Sequence, residues 1–417
     1  MLESFVIWFA SLSIFDLFVV LLFPAVFDFS RSLGKILFFK FRIKKDELET
    51  EPFFKVHDPL ISILIPAHNE ESCIEDSIKA AMILFYPNLE IIVIDDCSTD
   101  NTYSIAKKYA DKNQIKLLHK NTGGSKASAL NLGLLHSKGD IIITTDADSQ
   151  LEPHCIERIV RKFDDRDVMA VSGKVSIKGG DDGINNVLTK LQQYEYKIIS
   201  DIGKRFFSHL NIILVVAGAF ASFRREGIRH TGRFSQHTLC EDFHQSIRIN
   251  MIKKAKIVYE PDAICHTHCP NNFRSLIQQR NRWSAGQLTT ILQHKKILSC
   301  SAYEKRLRLA MWDMLLMDIL LNFLGIIVIG VILVMVLVSI VESSDYTELE
   351  NISYKLAFLY LVYLATELIV FGYLYRIKSV SLNMIYLVPI MMAYRPILKI
   401  ISFRGCLKVL LGKKISW

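Results

Sequence analysis

The 417-residue chain contains no internal repeat and no low-complexity tract. Repeat architectures and tail-like segments are therefore set aside. It is not poor in apolar residues either: they make up 51%, against 22% charged, which excludes a long disordered chain. A disulfide framework is missing. The eight cysteines stand mostly alone in apolar or loop contexts, as at Cys73, Cys97, Cys155 and Cys240, and fit a reduced compartment. The tight cluster Cys265-His266-Thr267-His268-Cys269 lacks the distant second half that structural zinc sites use. Charge of one sign is also scarce: Lys+Arg 50 against Asp+Glu 42 leaves +8. The basic residues gather in stretches such as Lys40 to Lys45 and Arg404 to Lys414, which suit anionic lipid headgroups better than a nucleic-acid groove, so no nucleic acid is expected as a partner.

The chain does have long uncharged runs, and its mean hydropathy of +0.26 is high for a purely soluble enzyme. Residues 5–27 carry one charge, Asp16, and are long enough to span a bilayer core of about 30 Å. A cleaved signal peptide fits less well, because no basic residue precedes the run and no small-residue cleavage site follows. Arg31, Lys35, Lys40, Arg42, Lys44 and Lys45 come next, which predicts a cytoplasmic location for everything after residue 30. Residues 319–341 have no charge, and residues 356–375 have only Glu367. The run 379–394 ends at Arg395 and reads as re-entrant or interfacial. Acids inside spans are costly, so Asp16 and Glu367 are expected to face protein or a water-filled path, or to pair with each other or a nearby base.

Between residues 50 and 300 the composition turns globular. Residues 60–66, 89–94, 115–118 and 140–145 read as strands; 70–84, 102–111 and 126–136 read as helices. That alternation predicts an α/β fold with a doubly wound, mostly parallel sheet. Ligands in such sheets sit beyond the carboxyl ends of the strands. Here one strand ends in Asp95-Asp96 and another in Asp146-Ala147-Asp148. One such acid is common turn chemistry. Two on neighbouring strands, one a D-x-D, look like a nucleotide and metal site, since a hard divalent cation takes oxygen ligands and leaves places for phosphate oxygens.

Taken in order, Pro66-Ala67-His68-Asn69-Glu70, Asp95-Asp96-Cys97-Ser98-Thr99-Asp100, Lys126 to Asn131, Asp146-Ala147-Asp148, Cys240-Glu241-Asp242 and Gln279-Arg280-Asn281-Arg282-Trp283 resemble the motifs of family 2 glycosyltransferases of GT-A fold. The last, a Q-x-x-R-W, resembles the processive membrane branch that includes hyaluronan, chitin, cellulose and poly-N-acetylglucosamine synthases and NodC-like enzymes. The resemblance implies a UDP-sugar donor, a polysaccharide or glycolipid acceptor, Mg²⁺ or Mn²⁺, and a multi-pass protein of the plasma membrane with its catalytic domain in the cytoplasm. An accessory subunit is left open. It puts Glu70, Asp95 and Asp96 near the nucleoside, Lys126 beside the diphosphate or donor sugar, and Asp148, with Asp146 in support, on the metal at the diphosphate. It makes Asp242 the general base, beside Glu241, and gives Gln279, Arg282, Trp283 and Gly218 to the acceptor and the departing diphosphate. His68 stands where the family often has Tyr, and Cys240 where it has Thr. His244 reads as a helix-surface residue or a neighbour of the base, the former preferred.

The implied division is a transmembrane segment 1–30, a basic linker 31–58, a catalytic domain 59–270, interfacial helices 271–310, and a membrane region with basic tail 311–417. Within that last region the expected spans are 319–341 and 356–375, with 379–398 doubtful. Two rivals accompany the processive reading: a single-transfer enzyme acting on a lipid, and a membrane scaffold without turnover. A phosphodiesterase would need extra ligands that the chain does not show.

Overall fold

The structure is a computed structural model and describes residues 31–39, 58–178, 186–327, 330 and 346–413. The expected segment 5–27 lies outside the described residues, as does most of 328–345.

The first half of the catalytic region is built as its apolar runs dictate. Strand β1 (Ile61–Ala67) is buried along its whole length, which is how a parallel strand covered on both faces reads. Beside it run β2 (Leu89–Asp95), β3 (Lys116–His119) and β4 (Ile141–Thr144), all parallel, in the order β3-β2-β1-β4. The connecting helices are α1 (Ile74–Met82), α2 (Thr102–Ala110) and α3 (Lys126–His136), the last N-capped by Ser125, whose hydroxyl accepts from the Ser128 amide. These elements match the sequence expectation closely.

The second half corrects it. The sheet has eight strands in the order β3-β2-β1-β4-β7-β6-β8-β5, and the four added strands are not mostly parallel. β7 (Ala221–Arg224) runs antiparallel to both β4 and β6 (Val168–Ile177). β8 (Lys256–Thr267) is parallel to β6, while β5 (Ser149–Leu151) is antiparallel to β8. The turn Gly218–Phe220 leads directly into β7, whose direction is opposite to that of both its neighbours. The sheet is therefore mixed, with one core on each face: Ile63, Ile65 and Phe220 lie on one side, Leu64, Ile92 and Phe223 on the other.

Past β8, Asn272 caps α7 (Phe273–Gln293) through its side chain and the Ser275 amide. Helix α10 (Leu387–Leu410) packs against α7 at Gly405, where a Cβ would stand 2.1 Å from the Ser284 hydroxyl oxygen. Only glycine permits that approach. Among the described residues one helix, Lys305–Ile327, is long and apolar enough to cross a membrane. The expected span 356–375 falls inside a helix over Tyr346–Arg376, and the doubtful 379–398 falls mostly inside α10, with Pro396 in its interior. Glu367, 1% exposed, pairs with Arg395 at 2.8 Å, so it meets a nearby base. The basic start of the described chain is tied in by Arg31, which reaches Asp313 and Asp318, each at 2.7 Å.

Candidate active site

The site lies at the carboxyl ends of the parallel strands, where each chain segment leaves the sheet and its side chains are free to converge. Lys126, the first residue of α3, carries its ammonium to the D-x-D. It contacts Asp146 and lies 3.4 Å from Glu241. Burial pulls against its charge, yet Asp146, Glu241 and Asp242 outweigh that and hold its pKa above the ordinary lysine value.

Asp148 is held differently. Its Oδ1 accepts from the Ser149 hydroxyl at 3.1 Å and from Thr267 at 3.3 Å, which fixes the carboxyl against β8. Burial, then the like charges of Asp146 and Glu70, raise its pKa to about 6. Three carboxylates thus crowd one place with Lys126 as the neighbouring cation. That is the electrostatic state a divalent cation relieves. Among the described residues no group of three or more His, Cys, Asp or Glu closes a metal cage unaided. The donor set fits Mg²⁺ or Mn²⁺ held by one or two carboxylates plus phosphate oxygens, the usual manner of magnesium at diphosphates.

The acid pair begins α6 (Glu241–Asn250). Asp242 Oδ2 accepts from the Gly218 amide at 2.9 Å and Oδ1 from the Phe243 amide at 2.7 Å. A Cβ on Gly218 would stand 2.8 Å from the Lys126 nitrogen, so the glycine lets the backbone approach both charged groups. Glu241 is 5% exposed, and burial, countered by Lys126, raises its pKa. Ser246 donates to the Asp242 carbonyl at 2.7 Å and receives the Val216 amide at 3.1 Å, which locks the segment leading to Gly218 onto α6.

At the ends of β1 and β2 the acids are more enclosed than a row of open ligands. Asp95 is fully buried, and its Oδ2 pairs with His119 Nδ1 at 2.7 Å. Asp96 is engaged by Lys120, whose ammonium also donates to Ser128 at 2.6 Å. His68 Nδ1 lies 2.9 Å from the Asp96 carbonyl, and Asn69 takes φ 56° to turn the chain there. Glu70 receives the Cys73 thiol at 3.0 Å. Burial and Glu70 push that thiol up to about 12, so it stays protonated.

The Q-x-x-R-W residues lie on α7. Trp283 has two close neighbours: the Arg280 guanidinium lies 4.3 Å from its ring centroid and the Tyr196 ring is 6.4 Å away. Arg280 itself pairs with Glu195 at 2.9 Å, and Tyr394 donates to the same carboxylate at 3.2 Å. Gln279 Oε1 is buried with no partner among the described residues, and the Arg282 carbonyl faces the Cys240 thiol at 3.9 Å. A cavity of about 180 Å³ lined by Lys174, Ser176, Gln193, Tyr196, Lys197 and Met384 opens beside that aromatic pair.

Sequence reasoning passed over His119, Lys120, Arg280 and Glu195. His119 ends β3 and Lys120 follows it, and neither carried a motif signal; Arg280 stood inside the quoted motif as an unassigned position. His244 is a correction. It is half-buried rather than open on the helix surface: its ring lies 4.9 Å from that of His294, its Nδ1 is buried without a partner among the described residues, and burial, then His294 and Arg248, push its pKa down to about 4. The Cys265–Cys269 segment serves the sheet, with Cys265 buried and His266 paired to Glu152 at 2.9 Å.

Comparison with known proteins agrees with this architecture. Residues 62–232 match the model of glycosyl transferase family 2. A poly-beta-1,6-N-acetyl-D-glucosamine synthase of Staphylococcus epidermidis is 28% identical over 234 residues, 56% of each chain. The Staphylococcus aureus (strain COL) protein of that name is 27% identical over 277 residues, 66% of each. The chain thus matches little more than half the length of the first of these relatives. A mannosyltransferase from Pyrobaculum calidifontis, solved with GDP-Man and Mn²⁺, shares the fold at a TM-score of 0.67 and 17% identity, over 95% of this chain and 100% of that one. Motifs, matched domain and shared fold coincide: residues 62–232 carry a glycosyl transferase family 2 domain, in a chain similar to these polysaccharide synthases.

Proposed function

We propose that this chain is an inverting, metal-dependent glycosyltransferase that moves a sugar from a UDP-sugar onto a hydroxyl of a growing polysaccharide at the cytoplasmic face of the cell membrane. The observation that carries the reading is the meeting at Lys126 of the D-x-D and the acid pair, with Gly218 bridging to Asp242. A donor-side group and a proton acceptor then share one cleft, which transfer requires.

In this reading Lys126 neutralises diphosphate charge, and Asp148 with Asp146 holds Mg²⁺ or Mn²⁺. The bound cation supplies Lewis-acid stabilisation of the departing diphosphate. Glu70 and Asp96 line the nucleoside side. Asp95, having no exposure of its own, acts there by orienting His119. Asp242 takes the proton of the acceptor hydroxyl as that oxygen bonds to the anomeric carbon. The carbon–oxygen bond to the diphosphate breaks with its electron pair leaving on oxygen, so configuration inverts. Both Asp242 oxygens are oriented by backbone amides, which leaves a lone pair on each for the hydroxyl. Glu241 holds Lys126 in place for that step. Gln279, Arg282 and Trp283 face the acceptor and the departing group, and the cavity beside Tyr196 extends the acceptor side.

The named product of the relatives favours N-acetylglucosamine as the sugar carried. Processive extension and passage of the polymer through the helices around Lys305–Ile327 complete the reading. The test is incubation of the membrane-embedded protein with UDP-N-acetylglucosamine and Mg²⁺ or Mn²⁺, reading released UDP and product length. Long polymer supports the reading. A single added sugar on a lipid would assign the chain to single-transfer glycosylation, and no UDP release in either metal would count against transfer itself.

A further inference from the structure

Glu195 belongs to none of the motifs, yet it reaches the one that ends in Trp283. It lies on α5 (Val187–Ile198), next to Tyr196. Its Oε2 accepts from Arg280 Nη2 at 2.9 Å and from the Tyr394 hydroxyl at 3.2 Å. The three residues come from α5, α7 and α10, which share a buried core through Tyr194, Leu276 and Met391. Arg280 is 7% exposed. A guanidinium so enclosed needs its carboxylate, because losing one partner of a buried pair leaves an uncompensated charge. Its place is therefore set from α5 and α10 as well as from its own helix.

The guanidinium held in this way lies against the indole. Arg280 and Trp283 stand three positions apart on α7, a spacing at which side chains share a face. The guanidinium carbon is 4.3 Å from the indole ring centroid. Tyr196 brings its ring to 6.4 Å from the same indole, tilted by 50°. Two consecutive residues of α5 thus act on one side chain, Glu195 through Arg280 and Tyr196 by its ring. Trp283 is half-buried, and Tyr196 also lines the neighbouring cavity. A planar guanidinium can lie along an aromatic ring while its fork holds a carboxylate, which a lysine ammonium cannot do.

We propose that Glu195, through Arg280, is a positioning residue that fixes the Trp283 indole at the angle at which it meets the acceptor sugar. The inference rests on the acceptor role proposed for Trp283. Contact between a ring face and a sugar weakens steeply once a gap opens. An indole free to turn therefore loses acceptor affinity, while the donor side at Lys126 and Asp148 keeps its geometry.

The test is a double-mutant cycle in the full membrane-embedded chain. It reads the KM for a short N-acetylglucosamine oligosaccharide as acceptor and, separately, UDP release without acceptor, with UDP binding as the check that each variant is folded. Glu195→Gln is expected to raise the acceptor KM by about fivefold and to change acceptor-free UDP release by less than about twofold. Arg280→Lys, which keeps the charge but not the plane, raises the acceptor KM in the same way. In a Trp283→Ala chain, where no indole is left to place, Glu195→Gln adds no further rise. Tyr394→Phe leaves the ion pair but removes one hydrogen bond to the carboxylate, so it raises the acceptor KM by less. It replaces Glu195→Gln in the cycle if that variant loses UDP binding. An unmoved acceptor KM in the folded variant, an equal loss of acceptor-free UDP release, or a rise that multiplies in full with that of Trp283→Ala overturns the proposal. Absence of transfer by the unmodified chain would instead strike the proposed function, so the two failures are distinct.

Discussion

The Lys126 ammonium lies 3.4 Å from the Glu241 carboxylate, although 115 positions separate them in sequence. That contact ties the helix at the donor side to the helix that starts with the acid pair. It leaves Asp242, one residue on, with its oxygens directed by Gly218 and Phe243.

Removing Lys126 should therefore harm more than donor binding. Lys126→Met leaves Asp146 and Glu241 facing each other without their cation. Transfer is expected to fall by at least about 100-fold, the scale seen when one charge-stabilising group is lost from an active site. Steady-state assays of UDP release measure it. A loss below about threefold would show that the lysine is peripheral.

Asp148 gives a pH prediction. Its carboxyl, ordinarily near 3.8, is raised to about 6 by burial, Asp146 and Glu70. Between those values the folded chain binds more protons than the unfolded one. Stability without metal therefore falls as pH rises through that window. Cation binding requires the ionised form, so metal-dependent nucleotide affinity should weaken about tenfold per unit below pH 6. Asp148→Asn should flatten the stability profile and abolish metal-dependent UDP binding. Thermal unfolding without metal and calorimetric titration with Mn²⁺ and UDP, each at pH 5, 6 and 7, check the two.

Asp242→Asn should abolish transfer while UDP affinity stays within about twofold, because the amide keeps the shape but cannot accept the proton. Product formation at the ordinary rate would remove Asp242 from the role of base.

Trp283→Ala should raise the KM for acceptor more than it lowers donor hydrolysis. The substitution also strips the Arg280 guanidinium of its ring, a contact worth about 0.5–2 kcal/mol, so a modest fall in thermal stability should accompany it. Equal losses in acceptor use and donor hydrolysis would give the indole a structural role alone.

Glu367→Ala should destabilise the helical region. Glu367 is 1% exposed and Arg395 keeps 27%, so the cost is expected at the low end of that for a broken buried pair, about 3 kcal/mol. Thermal unfolding in detergent measures it, and adding Arg395→Leu should recover most of the loss.

The parallel half of the sheet was legible because its strands are unbroken apolar runs ending in acids, as at Ile91 to Asp96 and Ile141 to Asp148. Strand direction in the second half was not. Nothing in Ala221–Arg224 states which neighbours it will join, and its antiparallel pairing is set between strands distant in sequence. The acids were found by motif, but their environments were not. Asp95 reads as a ligand and is buried behind His119, and His244 reads as exposed and lies against His294. Arg280–Glu195 and Glu367–Arg395 join distant segments, and no local pattern announces either.

The central claim is that the D-x-D and the acid pair serve one transfer reaction. The most direct measurement is UDP released from UDP-N-acetylglucosamine with Mn²⁺, in the presence of acceptor, by the unmodified chain, Asp148→Asn and Asp242→Asn side by side. The account predicts release by the first alone, with UDP binding retained by Asp242→Asn and lost by Asp148→Asn. Undiminished release by either variant would contradict it.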